Sequence, residues 1–152
     1  MVTTIKLLEL MSARMFHDLA GPIGAVNNSI EFFEEEDPII KEKALHLIKS
    51  SAHESIIRLK FFRQAYGTLY DNEVYVSHIL ALITEFTQNT KVKLDWNISE
   101  GLINNYLAKT ILNFIFISLN AMIQGGVLLA EQQNNIITLT LKGKNIIFTD
   151  ES

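Results

Sequence analysis

The sequence has 152 residues, 48% hydrophobic and 20% charged, which is enough for one compact protein of one or two small units with a core. The net charge of -4, the acidic residues 34–37 and the absence of cysteine argue against a nucleic-acid-binding surface, disulfides and zinc–thiolate sites. No signal-peptide pattern opens the chain and no apolar run reaches the ~20 residues of a membrane span, so we expect a cytoplasmic protein without membrane contact.

Two long helices are predicted in the first half of the chain. Over residues 4–36, apolar residues recur every three or four positions, which is typical of a helix with one buried stripe. Asp37 and Pro38 then supply an N-cap and a first helical residue for a second helix, and Gly67 is placed to end it in the left-handed conformation. The first stripe comprises Leu8, Met11, Met15, Leu19, Pro22, Val26, Ile30 and Phe33. The second comprises Leu45, Ile48, Ala52, Ile56, Leu59, Phe62 and Tyr66.

These helices are predicted to form a long antiparallel hairpin, because only a short connection separates them. Two helices alone leave their shared apolar stripe half covered. We therefore expect two chains to pair as a homodimer, in which a four-helix bundle buries both stripes.

The second half of the chain mixes helices and strands. Helices are predicted over residues 73–87 and 106–124, the latter capped by Asn104 or Asn105 and stopped by Gly125 and Gly126. Strands are predicted over the following ranges: 91–98, 135–141 and 145–149. The last two are expected to form a hairpin through residues 142–144, within a small α/β sandwich. The predicted fold class is α+β, with a helical-hairpin domain at 1–70 and the sandwich at 71–152.

His17 is the candidate for chemistry, because on a helical wheel it lies opposite the buried stripe of its helix. Its neighbours on that face are small and leave the imidazole open to a protein partner; they are Ala13, Ala20, Gly21 and Gly24. His46 and His53 lie off the stripe of the second helix among ordinary charged residues, and His78 lies beside apolar residues. We interpret these three as surface or packing histidines.

The residues after His17 oppose helix formation. Glycine costs roughly 1 kcal/mol in a helix interior and proline about 3 kcal/mol. Yet Gly21, Pro22 and Gly24 all follow within two turns of the histidine. Since Pro22 cannot donate to the carbonyl of Asp18, we expect a bend one turn beyond His17. Such conflict with good helix design is frequent at functional sites.

Two charged residues next to His17 are the other candidates. Asp18 can accept an imidazole proton and favour the tautomer whose other nitrogen is a free nucleophile. Arg14, one turn earlier, is placed to pair with a transferred anionic group or with an acidic partner.

The run His17-Asp18-Leu19-Ala20-Gly21-Pro22 resembles the H-box of sensor histidine kinases, with a histidine, an acidic residue, a leucine and a proline five positions after the histidine. The longer stretch over residues 12–28 looks more specifically like the ChpT-type histidine phosphotransferases of bacterial cell-cycle relays. The resemblance implies a dimeric hairpin that bears the phosphorylated histidine, followed by a truncated domain similar to the ATPase domain of histidine kinases.

The resemblance also implies that this second domain is degenerate. Asn120 lies where a kinase has its magnesium-binding asparagine, but Phe116 stands four positions before it and no lysine follows. Asp150 lies where kinases have the aspartate that binds the adenine of ATP, yet no glycine-rich lid follows it. We interpret both as structural remnants. Gly21 stands where many kinases have a threonine or asparagine that orients water, so little phosphatase activity is expected.

By this resemblance, the chain is expected to be a histidine phosphotransferase of a two-component phosphorelay. A receiver domain, such as that of a hybrid histidine kinase, would donate its phosphoryl group to His17, and a response-regulator receiver would take it, with Arg14 binding phosphoryl oxygens. The chain itself is expected to hold no cofactor or metal, since the receiver supplies Mg²⁺. Two alternatives are a histidine kinase fragment without its ATP lid and a non-catalytic dimeric adaptor that binds receiver domains.

Overall fold

The structure is a computed structural model of the α+β class that describes residues 2–68 and 72–148, with residues 2–4, 7 and 8 described by their backbone alone. The chain divides into two compact units, Met1–Phe62 and Arg63–Ser152. The described helices are α1 (Val2–Phe33), α2 (Pro38–Tyr66), α3 (Val76–Thr87) and α4 (Asn105–Ala121). The described strands are β1 (Glu73–Tyr75), β2 (Val92–Asn97), β3 (Leu102–Asn104), β4 (Gly126–Gln133) and β5 (Ile136–Lys142).

The structure confirms the two long predicted helices. The α1 helix runs without interruption through Pro22, and α2 begins at Pro38. Asp37 is the N-cap of α2, because its Oδ1 accepts a hydrogen bond of 2.8 Å from the backbone N–H of Ile39. No helix in the described parts of the chain is both long and apolar enough to cross a bilayer.

Replacement of the Asp37 cap is expected to weaken the start of α2. The Asp37→Ala variant loses the acceptor for the Ile39 N–H and should lower the free energy of unfolding by about 1 kcal/mol. Thermal unfolding followed by circular dichroism at 222 nm measures the change. Glu36→Ala is the matched control, since Glu36 is an exposed neighbour with no capping bond. Equal melting temperatures for the two variants would contradict the assignment.

The end of α2 differs from the prediction. Gly67 does not adopt the left-handed conformation; its N–H donates to the carbonyl of Arg63 at 2.9 Å, as a helical residue does. A Cβ at this position would collide with the same Arg63 carbonyl oxygen. Glycine is therefore needed at the end of α2 for close approach of the backbone rather than for a positive φ.

The buried face of α1 follows the predicted stripe in the middle of the helix. Its covered apolar side chains are Met11, Met15, Leu19, Pro22 and Val26. Towards the end of α1 the stripe is uncovered, since Ile30 and Phe33 are exposed within one chain. The side chain of Leu8 lies outside the described part of the structure.

The stripe of α2 is only partly buried. Phe62 is buried as predicted, but Leu45, Ile56 and Leu59 are exposed within one chain. The covered positions of α2 instead include small residues, among them Ala44, Ser51 and Ser55. The physical reason is that small side chains let two helices approach closely, so the larger apolar residues of α2 lie beside this contact rather than in it.

The second unit is built on a three-stranded sheet with the order β2-β4-β5. The central strand, β4, pairs in parallel with β2 and antiparallel with β5. Because parallel neighbours need a crossover connection, the chain passes through β3 and α4 between β2 and β4. A separate two-stranded sheet forms from β1 and β3.

The core of the second unit lies between its helices and this sheet. The helices α3 and α4 contact each other, and the rings of Phe86 and Phe116 meet edge to face with centroids 6.1 Å apart. Val92, Leu94 and Trp96 lie on the more covered face of β2, within the strand predicted over residues 91–98. The side chains that are almost fully buried include Val76, Ile79, Ile83, Leu112, Ile115, Met122 and Leu128.

Two further boundaries differ from the prediction. Residues 73–75 were predicted as helix, but they form β1, which pairs with β3; this long-range pairing overrides the local helical pattern. The α4 helix has Asn104 as its N-cap, as expected, but it ends at Ala121 rather than near residue 124. Gly125 and Gly126 follow with φ of 90° and 149°, values that favour glycine.

The predicted final hairpin is wrong. Residues 145–148 form no strand, and Thr149 lies outside the described residues. The partner of β5 is instead β4, which the sequence left unassigned, and the turn lies at Asn134 and Asn135, with Asn134 at φ 53°. The reason is the composition of β4. Its apolar residues 127–130 form a continuous run, in which Leu128 and Ala130 are fully buried on one face and Val127 and Leu129 are half-buried on the other, so the sequence shows no apolar–polar alternation.

Candidate functional site

The imidazole of His17 projects from the middle of α1 into solvent, with 80% of its side chain exposed. This exposure agrees with the helical wheel, which placed His17 opposite the buried stripe. The small neighbours Ala13, Ala20 and Gly21 are also exposed, and Gly24 is half-buried. A macromolecular partner can therefore reach His17 without displacing a large side chain.

Asp18 lies beside His17 in a much less exposed position, with 11% of its side chain accessible. Its Oδ1 is 3.2 Å from Nδ1 of His17. Because an ionised carboxylate only accepts hydrogen bonds, this contact requires a proton on Nδ1 when the imidazole is neutral. The lone pair then resides on Nε2, so the geometry prepares Nε2 as the nucleophile.

Arg14 sits one helical turn before Asp18, and its Nε is 3.7 Å from Oδ1 of Asp18. The guanidinium and the imidazole therefore both face the same carboxylate. The pair contributes little as a surface ion pair. Its chemical role would be to hold the Asp18 carboxylate in place beside His17.

Replacement of Asp18 by asparagine is expected to disturb the tautomer of His17. An asparagine amide can donate as well as accept, so the tautomer with its proton on Nδ1 is no longer favoured. The fraction of imidazole with a free Nε2 therefore falls. In Asp18→Asn we expect phosphohistidine formation to slow about tenfold or more, since loss of an orienting aspartate is costly in related chemistry. The ¹⁵N chemical shifts of the imidazole report the tautomer directly. Unchanged ¹⁵N shifts would contradict this role.

A cavity of about 390 Å³ opens beside His17, between α1 and α2. It is lined by His17, Asp18, Gly21, Pro22 and Ala25 from α1 and by Ser51, Glu54 and Arg58 from α2. The structure thus brings three of the predicted site residues of α1 together with His17, namely Asp18, Gly21 and Pro22. Arg14 and Gly24 do not line this cavity.

The α2 residues of the cavity were missed by sequence reasoning. Glu54 and Arg58 form an ion pair, in which Nη2 and Nε of Arg58 donate to Oε1 of Glu54 at 2.6 and 3.1 Å. A signal was available, since Ser51, Glu54 and Arg58 recur at helical spacing next to the buried positions of α2. Polar residues repeated along a covered helix face indicate a polar site between helices.

The glycines next to His17 are not required by close packing. A Cβ built on Gly21 or Gly24 would contact nothing within 4 Å, and neither residue has a positive φ. Packing contacts within this chain therefore do not offset the helix stability that these two glycines cost. Open space around the imidazole is what these glycines provide.

The remaining candidates lie elsewhere. His46, His53 and His78 are exposed, as the sequence indicated. Asn120 is half-buried in the last turn of α4, and Asp150 lies outside the described residues. Among the residues whose placement is described, no group of three or more acidic, histidine or cysteine side chains has the arrangement of a metal site.

The chain is similar in sequence and in structure to known phosphotransferases. Residues 76–151 match the family described as the histidine phosphotransferase C-terminal domain. The chain is 31% identical over 149 residues to protein phosphotransferase ChpT of Brucella abortus (strain 2308), covering 94% of this chain and 70% of ChpT. It is also similar to the solved structure of a bacterial phosphotransferase, with a TM-score of 0.79 and 30% identity over 95% of this chain and 71% of that one.

Proposed function

This chain belongs to the histidine phosphotransferases, and we propose that His17 is the residue that carries the phosphoryl group between receiver domains of a cytoplasmic two-component phosphorelay. The observation that carries this proposal is the geometry of one side chain. The imidazole is 80% exposed, its Nδ1 lies 3.2 Å from the Asp18 carboxylate, and Nε2 is left as the nucleophile.

Transfer to His17 begins with a phosphorylated aspartate on a donor receiver domain, such as that of a hybrid histidine kinase. The lone pair of Nε2 attacks phosphorus, the N–P bond forms, and the acyl phosphate O–P bond breaks, with the electron pair leaving on the aspartate carboxylate. The ring gains positive charge, which the Asp18 carboxylate stabilises through Nδ1–H. Arg14 holds that carboxylate and neutralises part of the charge on an arriving phosphoryl group.

The second transfer reverses these bonds. The aspartate of a response-regulator receiver attacks the phosphorus on Nε2, the O–P bond forms and the N–P bond breaks. Transfer of this kind depends on positioning and charge neutralisation rather than on covalent chemistry by further protein groups. We propose that Mg²⁺ comes from the acidic site of the receiver and that this chain binds no cofactor of its own.

We further propose that the chain acts as a homodimer through a four-helix bundle. The support is an exposed apolar row on α1, made of Phe16, Ile23 and Ile30 at a spacing of seven residues. Leu45, Ile56 and Leu59 form a second exposed row on α2. Rows of this kind are costly in water and are buried when two helical hairpins pair. Residues 1–70 would then serve for dimerisation and transfer, and 71–152 as a degenerate ATPase-like domain.

A transfer assay tests the proposed function. The receiver domains encoded in the same genome are labelled with ³²P-acetyl phosphate, freed of donor, and mixed with this protein in the presence and absence of ATP. Acid-labile, base-stable label on this chain within minutes, in the absence of ATP, is the expected result. Label that appears only with γ-³²P-ATP would favour the kinase alternative. Stable binding of receivers without label under either condition would favour the adaptor.

A further inference from the structure

The cavity beside His17 is lined by a serine whose hydroxyl the transfer chemistry described above does not use. Ser51 is 6% exposed and lines the cavity from α2. Among the described residues, its Oγ has no hydrogen-bond partner, whereas the hydroxyls of Ser29 and Ser55 both donate to carbonyls one turn earlier in their helices. Because Ser51 Oγ makes no such bond and Ser51 lines the cavity, this hydroxyl is placed to donate to a ligand that enters it.

A guanidinium lies in the same wall of the cavity. Arg58 is two turns after Ser51 on α2, and 27% of its side chain is exposed. The contacts from its Nε and Nη2 to Oε1 of Glu54 fix the direction of the side chain. A guanidinium carries five N–H donors in a planar fork, which suits an oxyanion that several donors bind together.

The charges around the cavity are close to balance. The Glu54 carboxylate is neutralised by Arg58 at 2.6 Å, and the Asp18 carboxylate faces both Arg14 and the imidazole N–H of His17. The two carboxylates therefore do not leave an uncompensated negative field against an entering anion. The cavity is also wide enough for a phosphoryl group, since 390 Å³ is more than ten times the ~30 Å³ share of one water molecule.

We propose that this cavity is a resting site for the phosphoryl group of phosphorylated His17, in which Ser51 Oγ and the Arg58 guanidinium donate to the phosphoryl oxygens. This inference rests on the proposed function of His17. Rotation of the imidazole about its side-chain bonds moves Nε2 between solvent and cavity, and the absence of a side chain at Gly21 leaves the path open. In the cavity the phosphoryl group is held by these donors; turned outward, it is available to a receiver.

Glu54 has a distinct part in this arrangement as a positioning residue. It orients Arg58 but also competes with the phosphoryl oxygens for the same donors. Loss of Arg58 should therefore shorten the half-life of the phosphohistidine, whereas loss of the Glu54 charge should not. A merely structural ion pair predicts the same direction for both, since either substitution breaks the pair.

In the test, His17 is phosphorylated chemically, independently of any receiver domain. The full-length protein is treated with phosphoramidate, freed of reagent, and followed by ³¹P NMR; the signal of His17 is the one absent from His17→Ala. The half-life and the chemical shift of this signal are then compared among Arg58→Met, Glu54→Gln and Ser51→Ala. Matched controls are Lys49→Met, which removes one exposed positive charge of α2 outside the cavity, and Ser50→Ala, whose hydroxyl donates to the carbonyl of Leu47.

We expect Arg58→Met to shorten the half-life about fivefold and Ser51→Ala about threefold, in line with the loss of one charged and one neutral hydrogen bond at a partly exposed site. Both should move the ³¹P shift, whereas Glu54→Gln should leave the half-life unchanged or longer and the two controls should match wild type. Ser51→Ala changes no charge, so its effect separates a hydrogen bond from general electrostatics.

Several results would overturn the resting site. One is a shorter half-life of the phosphohistidine in Glu54→Gln. Another is a wild-type half-life in Arg58→Met or Ser51→Ala. The third is that phosphoramidate phosphorylates His46 and His53 but not His17. Failure of the proposed function has a different signature. In that case His17 loads with phosphoramidate but takes no label from any phosphorylated receiver.

Discussion

The His17→Ala variant is expected to take up no label from a phosphorylated receiver domain, under conditions in which wild type is labelled within minutes. The loss is complete rather than partial, because the imidazole is the covalent carrier and no neighbouring side chain can form the N–P bond in its place. Acid-labile ³²P on the chain, separated from the receiver by electrophoresis, is the measurement.

The histidines of α2 provide the matched controls for this experiment. His46→Ala and His53→Ala also remove exposed imidazoles and should retain wild-type labelling. Because His17 is 80% exposed and its side chain makes a hydrogen bond or ion pair only with Asp18 among the described residues, its replacement should leave the circular dichroism spectrum and the melting temperature unchanged. Retention of label by a folded His17→Ala protein would exclude His17 as the carrier.

The second large effect concerns the proposed dimer. Ile23 lies at the centre of the exposed apolar row of α1, between Phe16 and Ile30. In Ile23→Glu, pairing of two chains would bury two unpaired carboxylates, at a cost of several kcal/mol each. Since each 1.4 kcal/mol is tenfold in affinity, we expect the dimer dissociation constant to rise by at least about 1,000-fold.

Sedimentation equilibrium distinguishes the mass of one chain from that of two. Wild type should sediment as a dimer at micromolar concentration, and Ile23→Glu as a monomer. Asn28→Glu is the matched control, because it adds the same charge at an exposed position of α1 on the opposite side from this row. A monomeric wild type, or a dimeric Ile23→Glu protein, would contradict the four-helix bundle.

Transfer activity then tells whether pairing matters for the chemistry. The described contacts of His17, Asp18 and Arg14 all lie within one chain. A folded monomeric variant should therefore still accept label on His17. Loss of labelling in a monomer with intact helices would indicate that the partner chain completes the docking surface for the receiver.

The sequence by itself determined the features that depend on local order along the chain. The exposure of His17 follows from helical periodicity, and the contact with Asp18 follows from adjacency, so neither required knowledge of the fold. The cap at Asp37 is likewise encoded by a few neighbouring residues. The family resemblance over residues 12–28 indicated the histidine phosphotransferase function, which the matches to phosphotransferases support.

Only the tertiary structure decided the features that depend on pairing distant segments. β4 was missed because its apolar residues 127–130 run continuously without alternation, and residues 73–75 became β1 because β3 supplied a partner. The cavity needs the register of α2 against α1, which sets Ser51, Glu54 and Arg58 beside His17. That register is fixed by helix packing across the connection at residues 34–37, and no pattern within either helix specifies it.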